Sequence, residues 1–97
     1  MMVVSMMEVI IEFHGITSIK EKRREMNSVK SRLIRKFRMS VAEIDLQQSL
    51  QFAQIGCAYV SNKKGLGDAV MQKALHFIES NIAGRVHDCQ MHAEQYG

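Results

Sequence analysis

An α+β fold of order βαββαβ is predicted by three features of this 97-residue sequence. Two segments carry apolar residues at helical spacing, and four others alternate with the period of a strand. No proline, repeat or low-complexity run marks a linker between them. Apolar residues make up 46% of a chain long enough for one two-layer core, so we expect residues 1–97 to form a single domain.

The first strand is predicted in the apolar run from Val3 to Phe13. Its buried face is expected to hold Met7, Val9, Ile11 and Phe13. The opposite face alternates with it and holds Glu8, Ile10, Glu12 and His14. Gly15 ends the strand.

A helix is predicted over residues 19–37. Ser18 and Glu21 have the spacing of a capping box, in which the Ser18 hydroxyl accepts from the Glu21 N–H and the Glu21 carboxylate accepts from the Ser18 N–H. The apolar stripe that we expect to face the core is formed by Met26, Val29, Leu33 and Phe37.

Two further strands are predicted at residues 40–46 and 52–61. In the first, Ala42, Ile44 and Leu46 alternate with Val41, Glu43 and Asp45, and we expect the two acidic residues on the open face of the sheet. In the second, Ile55, Cys57 and Tyr59 are expected to point inward, and Gln54, Gly56 and Ala58 outward. The polar residues 47–51 form the turn between them.

A second helix follows the break at residues 62–65 and is closed near Asn81 and Gly84. Its expected apolar stripe is Leu66, Val70, Ala74, Phe77 and Ile78. The last strand is predicted over residues 85–94, with His87, Cys89, Met91 and Ala93 on its inner face. This order predicts a ferredoxin-like fold, in which right-handed crossovers place both helices on one face of an antiparallel sheet and the first and third strands are central.

Four segments of the chain resemble the YlxP-like family of short bacterial proteins of unknown function. They are Ser18-Ile19-Lys20-Glu21-Lys22-Arg23, Ser40-Val41-Ala42-Glu43-Ile44-Asp45, Val60-Ser61-Asn62 and Phe77-Ile78-Glu79-Ser80. The resemblance spans almost the whole chain and implies a ferredoxin-like fold. Genes of that family often lie beside those of a translation initiation factor and a ribosome-binding factor, which implies a role near translation. The chain differs from the family at residues 47–51 and at the glycine-rich residues 64–67.

Charge is the main functional signal in the sequence. Nine of the thirteen basic residues lie between Lys20 and Arg38, with only Glu21 and Glu25 opposing them, so this segment carries +7 and the remainder −4. Such a segment favours nucleic acid or another polyanion as the partner, with a solvated helix face and an acidic protein partner as the alternatives. We expect RNA or the ribosome to contact Lys20, Lys22, Arg23, Arg24, Arg32, Arg35 and Arg38.

The open face of the sheet lacks the exposed aromatic residues on which single-strand RNA readers of this topology stack bases. Its acidic and imidazole residues are predicted on strands too far apart to share a metal ion, and Cys57 and Cys89 are expected to be free thiols. We therefore expect no catalytic group, no metal site and no cofactor.

The sequence thus predicts a small non-enzymatic binding protein of the cytoplasm, with neither an export signal nor a membrane span. The alternative is a structural or regulatory protein that associates with itself and binds no nucleic acid. Gly56 and Ala58, small and outward, together with two free edge strands, point to a homo-oligomer of that kind.

Overall fold

The computed structural model describes all 97 residues and contains six elements in the predicted order. In chain order they are β1 (Met2–Phe13), α1 (Ile19–Phe37), β2 (Ser40–Asp45), β3 (Phe52–Ser61), α2 (Lys64–Asn81) and β4 (Gly84–Tyr96). The strands form one antiparallel sheet in the order β2-β3-β1-β4, so β1 and β3 are central. The predicted ferredoxin-like α+β fold is confirmed.

The core lies between the sheet and the two helices. Along β1, Val9 and Ile11 are fully buried, and they join one apolar cluster with Met26, Val29 and Leu33 of α1. Burying a side chain of this size contributes about 1.5–3 kcal/mol relative to leaving it exposed. The contact of α1 with the sheet therefore holds the basic helix in place, and the predicted apolar stripes of β1 and α1 are confirmed.

The start of α1 differs in one bond from the predicted capping box. The Glu21 N–H donates to the Ser18 hydroxyl at 3.1 Å, as expected. The Glu21 carboxylate, however, accepts from the Thr17 hydroxyl at 3.0 Å, not from the Ser18 N–H. The capping-box pattern concerns only Ser18 and Glu21, so it did not predict the Thr17 hydroxyl as a donor. At the other end Arg38 adopts the left-handed conformation, and its N–H donates to the Ile34 carbonyl at 2.9 Å.

The prediction that Glu43 lies on the open face was wrong. In the register of β2 with β3, Val41 pairs with Cys57 and Glu43 with Ile55, and both β3 residues face the helices. Since neighbours in register share a face of the sheet, Glu43 lies on the helix side. Leu46 is excluded from the strand because its φ of 66° is left-handed.

A β-bulge changes the inner face of β4. The register with β1 shifts between Ile10 and Ile11, so Val86 pairs with Ile11 and packs against the core. His87 is the extra residue and is exposed, which makes its prediction as an inward residue wrong. Its ring lies 5.3 Å from that of Phe52, centroid to centroid.

The buried stripe of α2 is one residue out of step with the prediction near the start of the helix. It consists of Gly67, Met71, Ala74 and Ile78. Leu66 is 46% exposed and lies outside the core. A Cβ at position 67 would overlap the buried Ser5 hydroxyl, so glycine lets the first turn of α2 approach β1 closely.

Candidate nucleic-acid interface

One side of α1 is a row of exposed cations. Arg24 and Arg35 are eleven residues apart, which is about three helical turns, so they lie on the same side. Four exposed residues of this side, Lys20, Arg24, Arg35 and Arg38, form the basic face of α1. Arg23, also exposed, flanks it. The structure thus leaves five of the seven predicted contact residues open to solvent.

No exposed cation of α1 forms a close pair with a carboxylate of the protein. The four close pairs between basic and acidic side chains are Lys64–Asp68, Arg85–Glu12, His14–Glu12 and His92–Glu94, and all lie outside this helix. The positive potential of α1 is therefore directed to solvent, where it can attract a polyanion.

Lys22 does not belong to this interface, and its prediction as an exposed phosphate contact was wrong. Its side chain is 2% exposed. The Nζ donates to the carbonyl of Leu46 at 2.7 Å and also to the carbonyl of Ser49. Lys22 therefore fastens α1 to the loop that joins β2 to β3. A signal in the sequence could have found this, because Lys22 lies four residues before Met26 and so extends the apolar stripe.

The surroundings of Lys22 act on its charge in two directions. Burial lowers the pKa of the ammonium, while the nearby Glu43 carboxylate raises it. Glu43 can do so because it lies on the helix side of β2. Two carbonyls and one carboxylate thus stabilise a cation that is otherwise removed from water.

Arg32 is only partly available to a ligand. It is half-buried, and its guanidinium donates to the Asn81 side-chain oxygen at 2.7 Å. Its central carbon also lies 4.9 Å from the centre of the Phe77 ring, a cation–π distance. These two contacts orient Arg32 beside Arg35 and Lys36, with which it lines a shallow depression. A guanidinium carries five N–H donors, so others remain for a phosphate.

An open groove between α1 and α2 adjoins this depression. Its volume is about 550 Å³, and its lining residues are Lys36, Phe37, Gln72, Lys73, His76, Phe77, Ser80 and Asn81. The Phe37 and Phe77 rings meet edge to face at 5.9 Å, and the Lys36 ammonium lies 5.4 Å from the centre of Phe77. This interhelical groove therefore combines an aromatic floor with cations from both helices. Lys36, Lys73 and His76 were not predicted as site residues, because the pairing of the helices is a tertiary feature.

Two acidic residues of the open sheet face, Glu12 and Glu94, are engaged in local pairs. Glu12 accepts from Arg85 at 2.7 Å and from Gln51 at 3.1 Å, and the Arg85 hydrogen bond lowers the pKa of its carboxyl. On β4, Glu94 pairs with His92 and accepts from the Tyr96 hydroxyl, and these bonds lower its pKa. No group of three acidic, histidine or cysteine side chains is placed to hold a metal ion.

The two cysteines are free, as predicted. Cys57 is buried, and burial raises the pKa of its thiol to about 11. Burial also raises the pKa of Cys89. Both groups are therefore poor nucleophiles near neutral pH, because the reactive form is the thiolate.

Comparison with known proteins identifies the family. Residues 4–91 match the model of the family described as "Protein of unknown function (DUF503)". The chain belongs to this family. It is also 35% identical, over 63 residues, to the "Uncharacterized protein YlxP" of Bacillus subtilis (strain 168), and this match covers 65% of the chain and 68% of that protein. The resemblance to the YlxP-like family is thus confirmed.

Among solved structures, the de novo designed protein Ferredog-Diesel matches with a TM-score of 0.46 and 11% identity. That match covers 95% of this chain and 84% of the designed one. Neither α1 nor α2 is long and apolar enough to serve as a membrane-spanning helix.

Proposed function

We propose that this protein binds RNA at the ribosome or near translation, and that α1 makes the contacts to the phosphate backbone. The observation that carries the proposal is the set of exposed cations on α1, none of which is paired with a carboxylate of the protein. The gene neighbourhood implied by the resemblance to the YlxP-like family favours a partner in translation. The protein acts in the cytoplasm by binding, without catalysis.

The energetics follow from the charge on RNA. Each lysine or arginine that meets a phosphate releases condensed counterions, so binding strengthens as salt is lowered. Such contacts orient a protein on RNA and read no sequence. Lys20, Arg24, Arg35 and Arg38 offer these contacts along the length of α1, and Arg23 adds another beside them.

The interhelical groove extends the surface beyond the phosphate backbone. Lys36 and Lys73 supply cations from two helices, and Phe77 supplies an aromatic surface between them. An unpaired nucleotide has both a phosphate and a planar base, and these two features match the two kinds of side chain in the groove.

The test is retention on purified ribosomal subunits and on total RNA over a range of salt concentrations. The variant Arg24→Glu/Arg35→Glu reverses two charges of the basic face and leaves the apolar stripe intact. We expect its affinity to fall steeply. The slope of log affinity against log salt is expected to flatten by about 0.7–0.9 for each lost phosphate contact.

The matched control is Lys63→Glu/Lys64→Glu, which changes the net charge by the same amount at the start of α2. We expect this control to retain most of the affinity. Equal losses in both variants would show that net charge alone acts, and would refute α1 as the contact surface. Absence of any binding at low salt by the wild-type protein would refute the proposal as a whole.

A further inference from the structure

The open face of the sheet, on the side away from the helices, is unusually apolar for a surface in contact with water. An antiparallel sheet with one solvated face alternates apolar and polar residues along each strand. Here the outward positions of three adjacent strands are mainly apolar or small. They are Val4, Met6 and Ile10 of β1, Gly56, Ala58 and Val60 of β3, and Ala42 and Ile44 of β2.

Several of these side chains are widely exposed. Ile44 is 44% exposed and Val60 61%. Between Met6 and Ile44 a shallow groove of about 350 Å³ runs over Gly56 and Ala58, and seven of its ten lining residues are apolar. Contiguous apolar patches larger than a few hundred square ångströms are rare on soluble monomers and mark interaction surfaces.

We propose that a second copy of this chain packs on the open face and forms a symmetric dimer, sheet against sheet. The size of the face fits this occupant. The whole open face, with strands of 12, 6, 10 and 13 residues lying about 4.8 Å apart, covers roughly 650 Å² per copy, or roughly 1,300 Å² in total. The apolar rows of β1, β2 and β3 make up about two thirds of this area, and the polar outward residues of β4 form one rim. That total lies at the lower end of specific protein–protein interfaces, roughly 1,200–2,000 Å².

The charge of the open face favours a second copy of this chain over RNA as its partner. The open face carries Glu8 without a partner, Glu12 paired with Arg85, and Glu94 paired with His92. A polyanion gains nothing from such a surface, whereas a copy of the same apolar face is self-complementary in polarity. A two-fold interface uses the same patch on both subunits, which suits a flat apolar sheet.

The dimer leaves the proposed RNA contacts free. The helices cover the other face of the sheet, so the basic face of each copy is directed away from the interface. Dimer formation and RNA binding through α1 are therefore independent, and either can fail without the other.

The test is the mass in solution, measured by light scattering and sedimentation equilibrium over a concentration series. We expect the wild-type protein to reach twice the chain mass of 11.1 kDa. The variant Ile44→Lys places a charge on the β2 side of the apolar face, where Ile44 lies over Gly56, and is expected to weaken the dimer at least about tenfold. Val60→Lys, at a still more exposed position, repeats the test in case Ile44→Lys impairs folding.

The matched control is Leu66→Lys, because Leu66 of α2 is 46% exposed, nearly the same as Ile44 at 44%, and lies on the helix side. We expect this control to dimerise as the wild type does. The proposal is overturned if the wild type keeps the mass of one chain up to about 1 mM. It is also overturned if folded Val60→Lys dimerises normally, or if Leu66→Lys weakens the dimer equally. A monomeric wild type whose Ile44→Lys variant binds RNA differently would assign the face to RNA instead.

Discussion

Lys22→Met removes the ammonium that joins α1 to the loop between β2 and β3, and it preserves a long unbranched side chain. Two hydrogen bonds to the carbonyls of Leu46 and Ser49 are lost. Hydrogen bonds to a charged group contribute about 1.5–3 kcal/mol each, so the gross loss is about 3–6 kcal/mol. Burial disfavours the charged ammonium and lowers its pKa, so the net loss on replacement is smaller than this gross value. We expect the free energy of unfolding to fall by about 2–4 kcal/mol.

The assay is urea denaturation at pH 7, with Lys20→Met as the matched control. Lys20 is exposed and two residues away on the same helix, so its replacement is expected to change the free energy of unfolding by less than about 0.5 kcal/mol. Equal stability of the two variants would refute the structural role assigned to Lys22.

RNA binding supplies a second, independent readout. A domain with about 5–15 kcal/mol of stability remains largely folded after a loss of this size. Lys22→Met is therefore expected to keep the wild-type salt dependence of RNA retention, since the ammonium is buried. A flatter slope for folded Lys22→Met would show that its charge reaches the ligand.

Two further predictions concern stability. Gly65→Ala is expected to raise the free energy of unfolding by about 0.5–1 kcal/mol, since open space surrounds this helical position. Gly67→Ala is expected to lower the free energy of unfolding by about 1–3 kcal/mol, because the new methyl group overlaps Ser5. Thermal melts compare the pair, and equal shifts of the same sign would contradict the close packing of α2 on β1. The Cys57 thiol, with a pKa of about 11 against 9.0 when unperturbed, keeps its proton in the folded state while the unfolded chain loses it. The protonated Cys57 thiol therefore contributes fully to the free energy of unfolding below about pH 9. This contribution, up to about 2–3 kcal/mol, is lost as the pH rises through 11. Urea denaturation is expected to show this loss in the wild type and not in Cys57→Ala, and a wild-type minus variant difference that stays constant with pH would refute it.

Local sequence patterns were sufficient to predict the order of the elements and most of their positions. The alternation along β1 and the stripe of Met26, Val29 and Leu33 depend on periods of two and 3.6 residues, which neighbours in the chain already reveal. The cap at Ser18 was also predictable, because capping joins residues only three positions apart. The concentration of cations on α1 followed from the positions of lysine and arginine along the sequence.

Errors arose where a distant part of the chain decides the outcome. Glu43 and His87 were assigned to the wrong faces, because the pairing with β3 sets the face of β2 and a bulge against β1 shifts β4. Leu66 was expected in the core, but Gly67 is the residue that packs against Ser5 at the start of α2, and Leu66 is exposed. A change of one residue in strand register reverses every side chain, and local alternation carries no information on which register the partner imposes.

By itself, the sequence determined the fold class, the limits of α1 and the sign of its charge, since these depend on residues near one another in the chain. Only the tertiary structure divided the cations by role. It buried Lys22 against two carbonyls of a loop more than twenty residues away, and it placed Arg32 over Phe77 of the other helix. The same packing brought Lys36 and Lys73 to one groove. Whether a charged side chain meets solvent or a carbonyl depends on what the fold places beside it, and that is settled when the helices dock on the sheet.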